Sequence, residues 1–198
     1  MFYYPPLYPI IIYYPYLSLY DLKDPEHQLR PSLNFRQQLS TKECIIQSWS
    51  VQQLLNHLLC LIHPALFEAA LLCQERVQEE TKDLHVTQLW TSVFHALSVI
   101  SNGTSRAHRD TKGYLPWYDI LISIGTVDEL SLNIPELHLK LSYTPGTVIA
   151  LTGHALMHEV NAWQPGKERA CWAFFFRSNV LRKFGISLPD WCHESAYS

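Results

Sequence analysis

The sequence has few of the features that mark secreted, membrane-spanning or nucleic-acid-coating proteins. Its 198 residues include five cysteines, an odd number without a C-x-x-C pair, which favours free thiols in a reducing compartment. The apolar start, MFYYPPLYPIIIYYPYLSLYD, lacks a basic leader and is interrupted by prolines and tyrosines, so we interpret it as neither signal peptide nor membrane span. The net charge is -3 without a dense Lys/Arg run, which argues against a protein that coats nucleic acid.

The composition that is present, 47% apolar, is typical of one globular domain. We interpret residues 1–47 as an aromatic and proline-rich segment with a connector, and residues 48–198 as a single domain. In its first part, Ser50 and Gln53 have the spacing of a capping box, the leucines of SVQQLLNHLLCLI recur with helical period, and Pro64 suits the first turn of a second helix. The pattern therefore predicts support helices in residues 48–85.

From about residue 86 the period changes to that of strands. The segments LWTSVFHALSVIS, YDILISIG, LHLKLSY, TVIALTG and RACWAFFFRS are short, rich in β-branched and aromatic residues, and separated by turn residues. In LHLKLSY, Leu137, Leu139, Leu141 and Tyr143 alternate with polar residues, which predicts one buried face. We therefore expect an α+β fold in which a helical N-terminal half supports an antiparallel β-sandwich or barrel at residues 86–185.

Two metal-binding residue types, His108 and Asp110, stand one residue apart in the stretch SRAHRDTKG. On a strand, residues i and i+2 point to the same face, so both side chains can reach one ion. Two further histidines, His154 and His158, follow a predicted strand downstream. Two histidines and one carboxylate on one face of an iron ion leave open the positions that non-haem Fe(II) oxygenases use, whereas zinc, the competing ion, prefers four ligands.

Arg169, in the stretch GKERAC, adds a second element to this candidate site. A zinc site would leave this arginine unexplained, whereas its planar fork can pair with one carboxylate of a dicarboxylate whose other end chelates the metal. The alternative is an ion pair at a strand edge with Glu168.

These motifs together resemble a known family. The order H-x-D, H-E-V and G-K-E-R-A-C resembles the double-stranded β-helix, or jelly-roll, of Fe(II)/2-oxoglutarate-dependent dioxygenases. The wording AHRDTKGYLPWYDILISIG and LSYTPGTVIALTGHALMHEVNAWQPGKERACWAFFFRSNVLRKFG is similar to the fungal TET/JBP oxygenase domain. The resemblance implies a double-stranded β-helix core, Fe(II) and 2-oxoglutarate as cofactors, dioxygen as co-substrate, and oxidation of the methyl group of 5-methylcytosine or a related modified base in DNA.

The resemblance also assigns residues. His108, Asp110 and His158 would be the catalytic metal ligands, with His158 chosen because its spacing from the arginine matches the family. Arg169 would bind the distal carboxylate of 2-oxoglutarate. Cys171 lies two residues further on the same strand face, where relatives often place a small hydroxyl residue.

Three residues are candidates for substrate contact. His154 stands four residues before the third proposed ligand, as a group that supports that ligand or faces the substrate. Tyr114 and Trp117 follow the H-x-D pair on a predicted loop, and aromatic side chains commonly hold a flipped base, although packing around Pro116 is an equal alternative. Basic residues near these motifs are predicted either to contact phosphates or to form a solvated surface: Arg106, Arg109, Lys112, Lys167, Arg182 and Lys183.

The sequence leaves two other functions open. In the first alternative, the chain is a protein or small-molecule hydroxylase of the same superfamily, which the net acidity favours. In the second, it is a truncated, catalytically weak relative that serves as a binding module. We expect an intracellular protein, nuclear if DNA is the substrate.

Overall fold

The computed structural model of the protein describes residues 11–14, 17–19, 29–31, 39–82, 85–160 and 166–194. The chain divides into two compact units: a β unit of Met1–Tyr13 and Ser98–Phe174, and a helical unit of Tyr14–Leu97 and Phe175–Ser198. Among the described residues, no helix combines the length and the apolar character that a membrane crossing needs. The fold is a mixture of helices and antiparallel sheets, in line with the predicted α+β composition.

The helical unit contains the two helices that the sequence predicts within residues 48–85. Its described helices are α1 Leu39–Gln47, α2 Trp49–Ile62, α3 Pro64–Glu80, the 3-10 helix His85–Leu89 and α4 Ser178–Lys183. Leu55 and Leu59 of α2, and Leu66 and Ala70 of α3, are fully buried at helical spacing. By contrast, the sequence did not predict α1, which lies in the segment interpreted as a connector. Its sequence, LSTKECIIQ, has no clear apolar stripe.

The boundary between α2 and α3 follows from local chemistry. Pro64 occupies the first turn of α3, as predicted, and the Nδ1 atom of His63 accepts a hydrogen bond from the Leu66 N–H at 3.3 Å. The capping prediction at Ser50 is wrong, because α2 begins one residue before it and Ser48 stands at the N-cap position. A buried histidine thus caps α3.

Residues 90–95 do not form the strand that their composition predicts, and the strand there begins only at Ala96. Asn56 of α2 accounts for this difference. Its Nδ2 donates to the Thr91 carbonyl at 2.9 Å and its Oδ1 accepts from the Val93 N–H at 3.0 Å. Because a helix side chain satisfies these backbone groups, they are not available to a sheet ladder.

The described residues form eleven short strands. They are β1 Ile11–Tyr14, β2 Leu17–Leu19, β3 Leu29–Pro31, β4 Ala96–Ser101, β5 Ser105–His108, β6 Asp119–Gly125, β7 Ser131–Ile134, β8 Leu139–Ser142, β9 Val148–Leu151, β10 His158–Val160 and β11 Arg169–Phe175. One sheet has the order β1-β4-β11-β6-β9, the other β5-β10-β7-β8, and β2 pairs with β3. From β4 onward the chain therefore alternates between two sheets, interrupted only by the neighbours β7 and β8.

The core of the β unit is built from both large sheets. Leu121 and Cys171 come from the five-stranded sheet, and Leu132 and Val160 come from the four-stranded sheet. Tyr143, which follows β8, is fully buried in the same cluster. The apolar faces of the two sheets thus share one hydrophobic core.

The predicted buried face of LHLKLSY is wrong in its first half. Leu137 belongs to a 3-10 helix, Pro135–Leu137, and is 50% exposed, while Leu139 is 45% exposed. β8 is the edge strand of its sheet, so alternation there does not guarantee burial on either face. Leu141 is partly buried and packs against the core, and Tyr143, beyond the strand, is fully buried in it.

His95, in the helical unit, makes the stability of the protein sensitive to acid. Its Nδ1 accepts from the Arg177 N–H at 3.0 Å, and burial lowers the pKa of His95 to about 3. The unfolded histidine, with a pKa of about 6.5, takes up a proton first as the pH falls, so stability is lost between these two values. We expect this group to lower the free energy of unfolding by about 2 kcal/mol between about pH 7.5 and about pH 5.

Urea unfolding at both pH values tests this expectation with His95→Asn, which keeps an acceptor but cannot be protonated in this range. The variant should lose about 2 kcal/mol less than the wild type on acidification. His57→Asn, at an exposed position of the same unit, is the matched control and should behave as the wild type. An unchanged pH dependence in His95→Asn would contradict the prediction.

Candidate functional site

Two of the predicted ligands meet because β5 and β10 are antiparallel neighbours. His158, the first residue of β10, is paired in register with His108, the last residue of β5. Directly opposed side chains of an antiparallel pair lie on the same face, and the two imidazole ring centroids are 4.3 Å apart. The strand register thus explains why histidines fifty residues apart in the chain share one site.

Asp110 reaches the same place from a loop. It follows β5 instead of continuing it, so the same-face geometry of a strand does not apply to the H-x-D pair. Its backbone N–H donates to the Gly153 carbonyl at 2.9 Å, and its own carbonyl accepts from the Gly113 N–H at 2.8 Å. These bonds place its carboxylate 3.9 Å from Nε2 of His108 and 3.6 Å from Nε2 of His158.

The three side chains form a cluster whose ligand atoms all lie within 4.8 Å of one another. Nδ1 of His108 is 2.7 Å from the Arg106 carbonyl, and Nδ1 of His158 is 3.1 Å from the Leu156 carbonyl. A carbonyl oxygen can only accept, so each Nδ1 carries the proton and each Nε2 presents its lone pair. Both rings are therefore held in the tautomer that a metal ligand requires.

The environment of His158 favours the neutral ring. Burial lowers the pKa of His158, and repulsion from His108 acts in the same direction, whereas the Leu156 carbonyl and the Asp110 carboxylate oppose it. A neutral imidazole is the form that binds a metal ion. Of the two histidines considered as third ligand, the structure brings His158 into the cluster, as the sequence predicts. Nδ1 of His154 lies 3.2 Å from the Asp110 carbonyl and supports the loop.

Arg169, at the start of β11, is 3% exposed and only partly paired. Its Nη1 donates to the Gly103 carbonyl, and its backbone N–H donates to Oδ1 of Asn102 at 3.0 Å. Its Nε has no hydrogen-bond partner among the described residues, and within that part of the chain no ion pair joins it to Glu168. A buried guanidinium with an unused donor fits an anionic group that binds from outside the chain.

Cys171 and Tyr143 lie in the same part of the β unit. The Tyr143 hydroxyl is 3.2 Å from the Cys171 sulfur, and both side chains are buried. Burial raises the pKa of the Cys171 thiol and that of the Tyr143 hydroxyl. Neither group therefore offers a negative charge to neutralise Arg169 at neutral pH.

Gly153 is a site residue that the sequence did not single out. A Cβ atom at this position would meet Oδ2 of Asp110 at 2.5 Å and Oδ2 of Asp119 at 2.7 Å. Real Cβ contacts of this length are essentially absent from proteins, so a larger residue would have to displace both carboxylates. The one sequence signal was the Gly-His pair that precedes the H-E-V motif.

The predicted aromatic loop is packed more tightly than a substrate clamp requires. Trp117 is 3% exposed, and its ring lies 4.8 Å from the ring of Tyr114, centroid to centroid. The packing alternative therefore accounts for Trp117, while Tyr114 is half-buried and stays a predicted substrate contact.

A family model, Tet_JBP, described as the oxygenase domain of the 2OGFeDO superfamily, matches residues 17–178. The chain belongs to the Tet_JBP family. The resemblance to the TET/JBP oxygenase domain, carried by the H-x-D, H-E-V and R-A-C motifs, is thereby confirmed. No curated protein sequence matches the chain.

Three solved structures each resemble part of this Tet_JBP chain. NgTET1, solved in complex with 5mC DNA, is 15% identical, with a TM-score of 0.43, over 55% of this chain and 42% of that chain. A cupin 2 conserved barrel domain protein from Salinispora arenicola is 14% identical, with a TM-score of 0.31, over 46% of this chain and 69% of its own. KdgF from Halomonas is 13% identical, with a TM-score of 0.29, over 42% of this chain and 72% of the KdgF chain. The match thus spans less than half of the NgTET1 chain.

Proposed function

We propose that this chain is an Fe(II)- and 2-oxoglutarate-dependent dioxygenase that oxidises the methyl group of 5-methylcytosine or a related modified base in DNA. Membership of an oxygenase family and the cluster of two histidines and one carboxylate support this chemistry. The observation that carries the proposal is Arg169, a buried guanidinium whose Nε lacks a partner in the described part of the chain. A dicarboxylate co-substrate would use such a group, and a purely structural zinc site would not.

The strand order supports a double-stranded β-helix for the proposed enzyme. The strands β4 to β11 divide between two antiparallel sheets that share one core, which is the plan of a jelly roll. In this proposal, residues 48–198 are one dioxygenase domain, with support helices in residues 48–85, a β-helix core in residues 86–185, and residues 1–47 as a preceding segment.

The proposed roles follow from the contacts of each side chain. His108, Asp110 and His158 would hold Fe(II), and Arg169 would bind the distal carboxylate of 2-oxoglutarate, with Cys171 beside it. When bound, Fe(II) and 2-oxoglutarate would activate dioxygen and supply the oxidant for a substrate C–H bond. The protein itself fixes the two ring tautomers, keeps His158 neutral and presents an unmatched positive charge to the co-substrate.

An anaerobic titration with Fe(II) and then 2-oxoglutarate tests the proposed centre through the visible charge-transfer band of the iron chelate. We expect the band in the wild type and its loss in His108→Ala, because two remaining ligands hold the ion poorly. His138→Asn is the matched control, since His138 is exposed outside the cluster and asparagine tolerates its left-handed backbone, φ 51°. A folded wild-type protein without the band would contradict the proposal and favour the alternative of a binding module.

The substrate is the second part of the proposal, and the charges of the β unit favour an alternative to DNA. Arg109 pairs with Glu136, and Lys167 pairs with Asp128 at 2.8 Å, so two of the predicted phosphate contacts bind carboxylates instead. This pairing, with the net charge of -3, supports a protein or small-molecule hydroxylase as the second candidate.

A turnover assay separates these two candidates. Succinate formation would be compared on methylated duplex DNA, on peptide pools and on small-molecule panels, with oxidised base measured in parallel. Stimulation by methylated but not by unmethylated duplex would support DNA as substrate and a nuclear location. Stimulation only by peptides or small molecules would support the second candidate.

A further inference from the structure

Glu136, in the 3-10 helix Pro135–Leu137, ties together the two segments that carry the proposed metal ligands. Its Oε1 accepts from Nη2 of Arg109, and its Oε2 accepts from the Met157 N–H at 2.7 Å. Arg109 in turn donates from Nε to the Ala155 carbonyl at 3.1 Å. Arg109 stands between His108 and Asp110 in the chain, so one carboxylate bridges the H-x-D loop and the segment before β10.

The contact with Met157 leads directly to a ligand ring. The Met157 N–H and the Leu156 carbonyl belong to the same peptide group, and that carbonyl accepts from Nδ1 of His158 at 3.1 Å. Two hydrogen bonds and one peptide group therefore connect the Glu136 carboxylate to the imidazole. A carboxylate that accepts the peptide N–H polarises the amide, which makes its carbonyl a stronger acceptor for the ring. Ring N–H groups held in this way fix the orientation of a ligating histidine and raise its basicity.

The other histidine lacks such a connection. Nδ1 of His108 donates to the Arg106 carbonyl at 2.7 Å, and in the described part of the chain no side-chain carboxylate bonds to the Arg106–Ala107 peptide. The two ligand rings are thus held by different arrangements, and a change at Glu136 should act on only one of them.

We infer that Glu136 is a positioning residue for the metal centre, which acts on His158 through the Leu156–Met157 peptide and is itself anchored by Arg109. The inference rests on the proposed function, since it takes the cluster to be a metal site. The side chains of Glu136 and Arg109 are 34% and 46% exposed, and exposed ion pairs contribute only about 0–1 kcal/mol to stability. The main consequence of the contact is therefore alignment of the ligand and not stability of the fold.

The variant pair Glu136→Gln and Glu159→Gln tests the inference. Both variants remove one negative charge close to His158, but the Glu159 carboxylate accepts from Nδ2 of Asn133 at 3.0 Å and points to the other face of β10. Co(II), as a spectroscopic substitute for Fe(II), would be titrated in competition with a chelator. We expect Glu136→Gln to weaken Co(II) binding about 10-fold, the lower end for groups that hold a ligating histidine, and Glu159→Gln to leave it unchanged.

Proton NMR of the Co(II) protein supplies a readout that a general structural defect would not produce. The ring N–H protons of the two ligating histidines give shifted signals that disappear in D2O. In Glu136→Gln we expect one of the two signals to move or exchange faster, while the other and the thermal midpoint stay as in the wild type. Arg109→Ala should have a smaller effect of the same kind, because the bond from Glu136 to Met157 remains.

The outcomes separate the inference from the function on which it rests. If the wild type binds Co(II) and Glu136→Gln matches Glu159→Gln in affinity and in both signals, the inference is overturned and the proposed function stands. If the wild type binds no Co(II), the proposed metal centre itself fails.

Discussion

Gly153→Ala is expected to weaken metal binding about 100-fold while the protein stays folded. The added methyl group would stand 2.5 Å from Oδ2 of Asp110, so the carboxylate has to retreat by roughly 1 Å to reach an ordinary contact. It cannot do so by moving the loop as a whole, because the Asp110 N–H is bonded to the Gly153 carbonyl at 2.9 Å. A misplacement of about 1 Å can cost on the order of 100-fold in catalytic rate, and we expect a loss of similar size in affinity for Fe(II) or Co(II).

Gly146→Ala is the matched control for this substitution. Gly146 has φ 90° in the turn before β9, and a Cβ there would contact nothing within 4 Å. We expect it to cost about 1 kcal/mol in backbone strain and to leave the metal affinity unchanged. Gly153→Ala has no such backbone penalty, so its effect is steric alone. Wild-type metal affinity in Gly153→Ala would contradict the close approach of the Asp110 carboxylate to Gly153.

The contrast between these glycines shows what the sequence could predict about the site. Histidine and aspartate are metal-binding residue types. The spacing of His108, Asp110 and His158, together with the family resemblance, was therefore enough to predict them as metal ligands. Gly153 carries no chemistry, and its role exists only because a loop brings Asp110 and Asp119 to the same point. Steric exclusion between residues far apart in sequence leaves no pattern in a single chain.

The same limit applies to the groups that hold the ligands. The acceptors for the two imidazole rings are the backbone carbonyls of Arg106 and Leu156, which every residue type supplies, so no side-chain signal could identify them. Glu136 reads in sequence as one more acidic residue near a turn. For the fold, periodicity located α2, α3, β6 and β11, whereas it failed at residues 90–95, where Asn56 replaces a strand neighbour.

Arg169→Ala should remove binding of 2-oxoglutarate without loss of the metal. Loss of one partner from a buried, hydrogen-bonded charge pair costs about 2–5 kcal/mol, which corresponds to at least about 30-fold weaker binding. Arg169→Lys should recover only part of this loss, because an ammonium group retains the charge but not the planar fork. The titration with Fe(II) and 2-oxoglutarate measures both affinities, and a variant that binds 2-oxoglutarate as the wild type does would remove Arg169 from the co-substrate site.

A co-substrate analogue makes this prediction specific to the distal carboxylate. The probe is 2-oxobutyrate, which keeps the metal-chelating end of 2-oxoglutarate but lacks the group assigned to Arg169. The wild type should bind 2-oxoglutarate more tightly than 2-oxobutyrate by the same 2–5 kcal/mol or so, and Arg169→Ala should bind the two with nearly equal affinity. A general loosening of the site would instead weaken both ligands together. The Nε of Arg169 has no partner in the described part of the chain, and the nearby Cys171 and Tyr143 are neutral. We therefore expect no other described contact to replace the interaction between the guanidinium and the distal carboxylate.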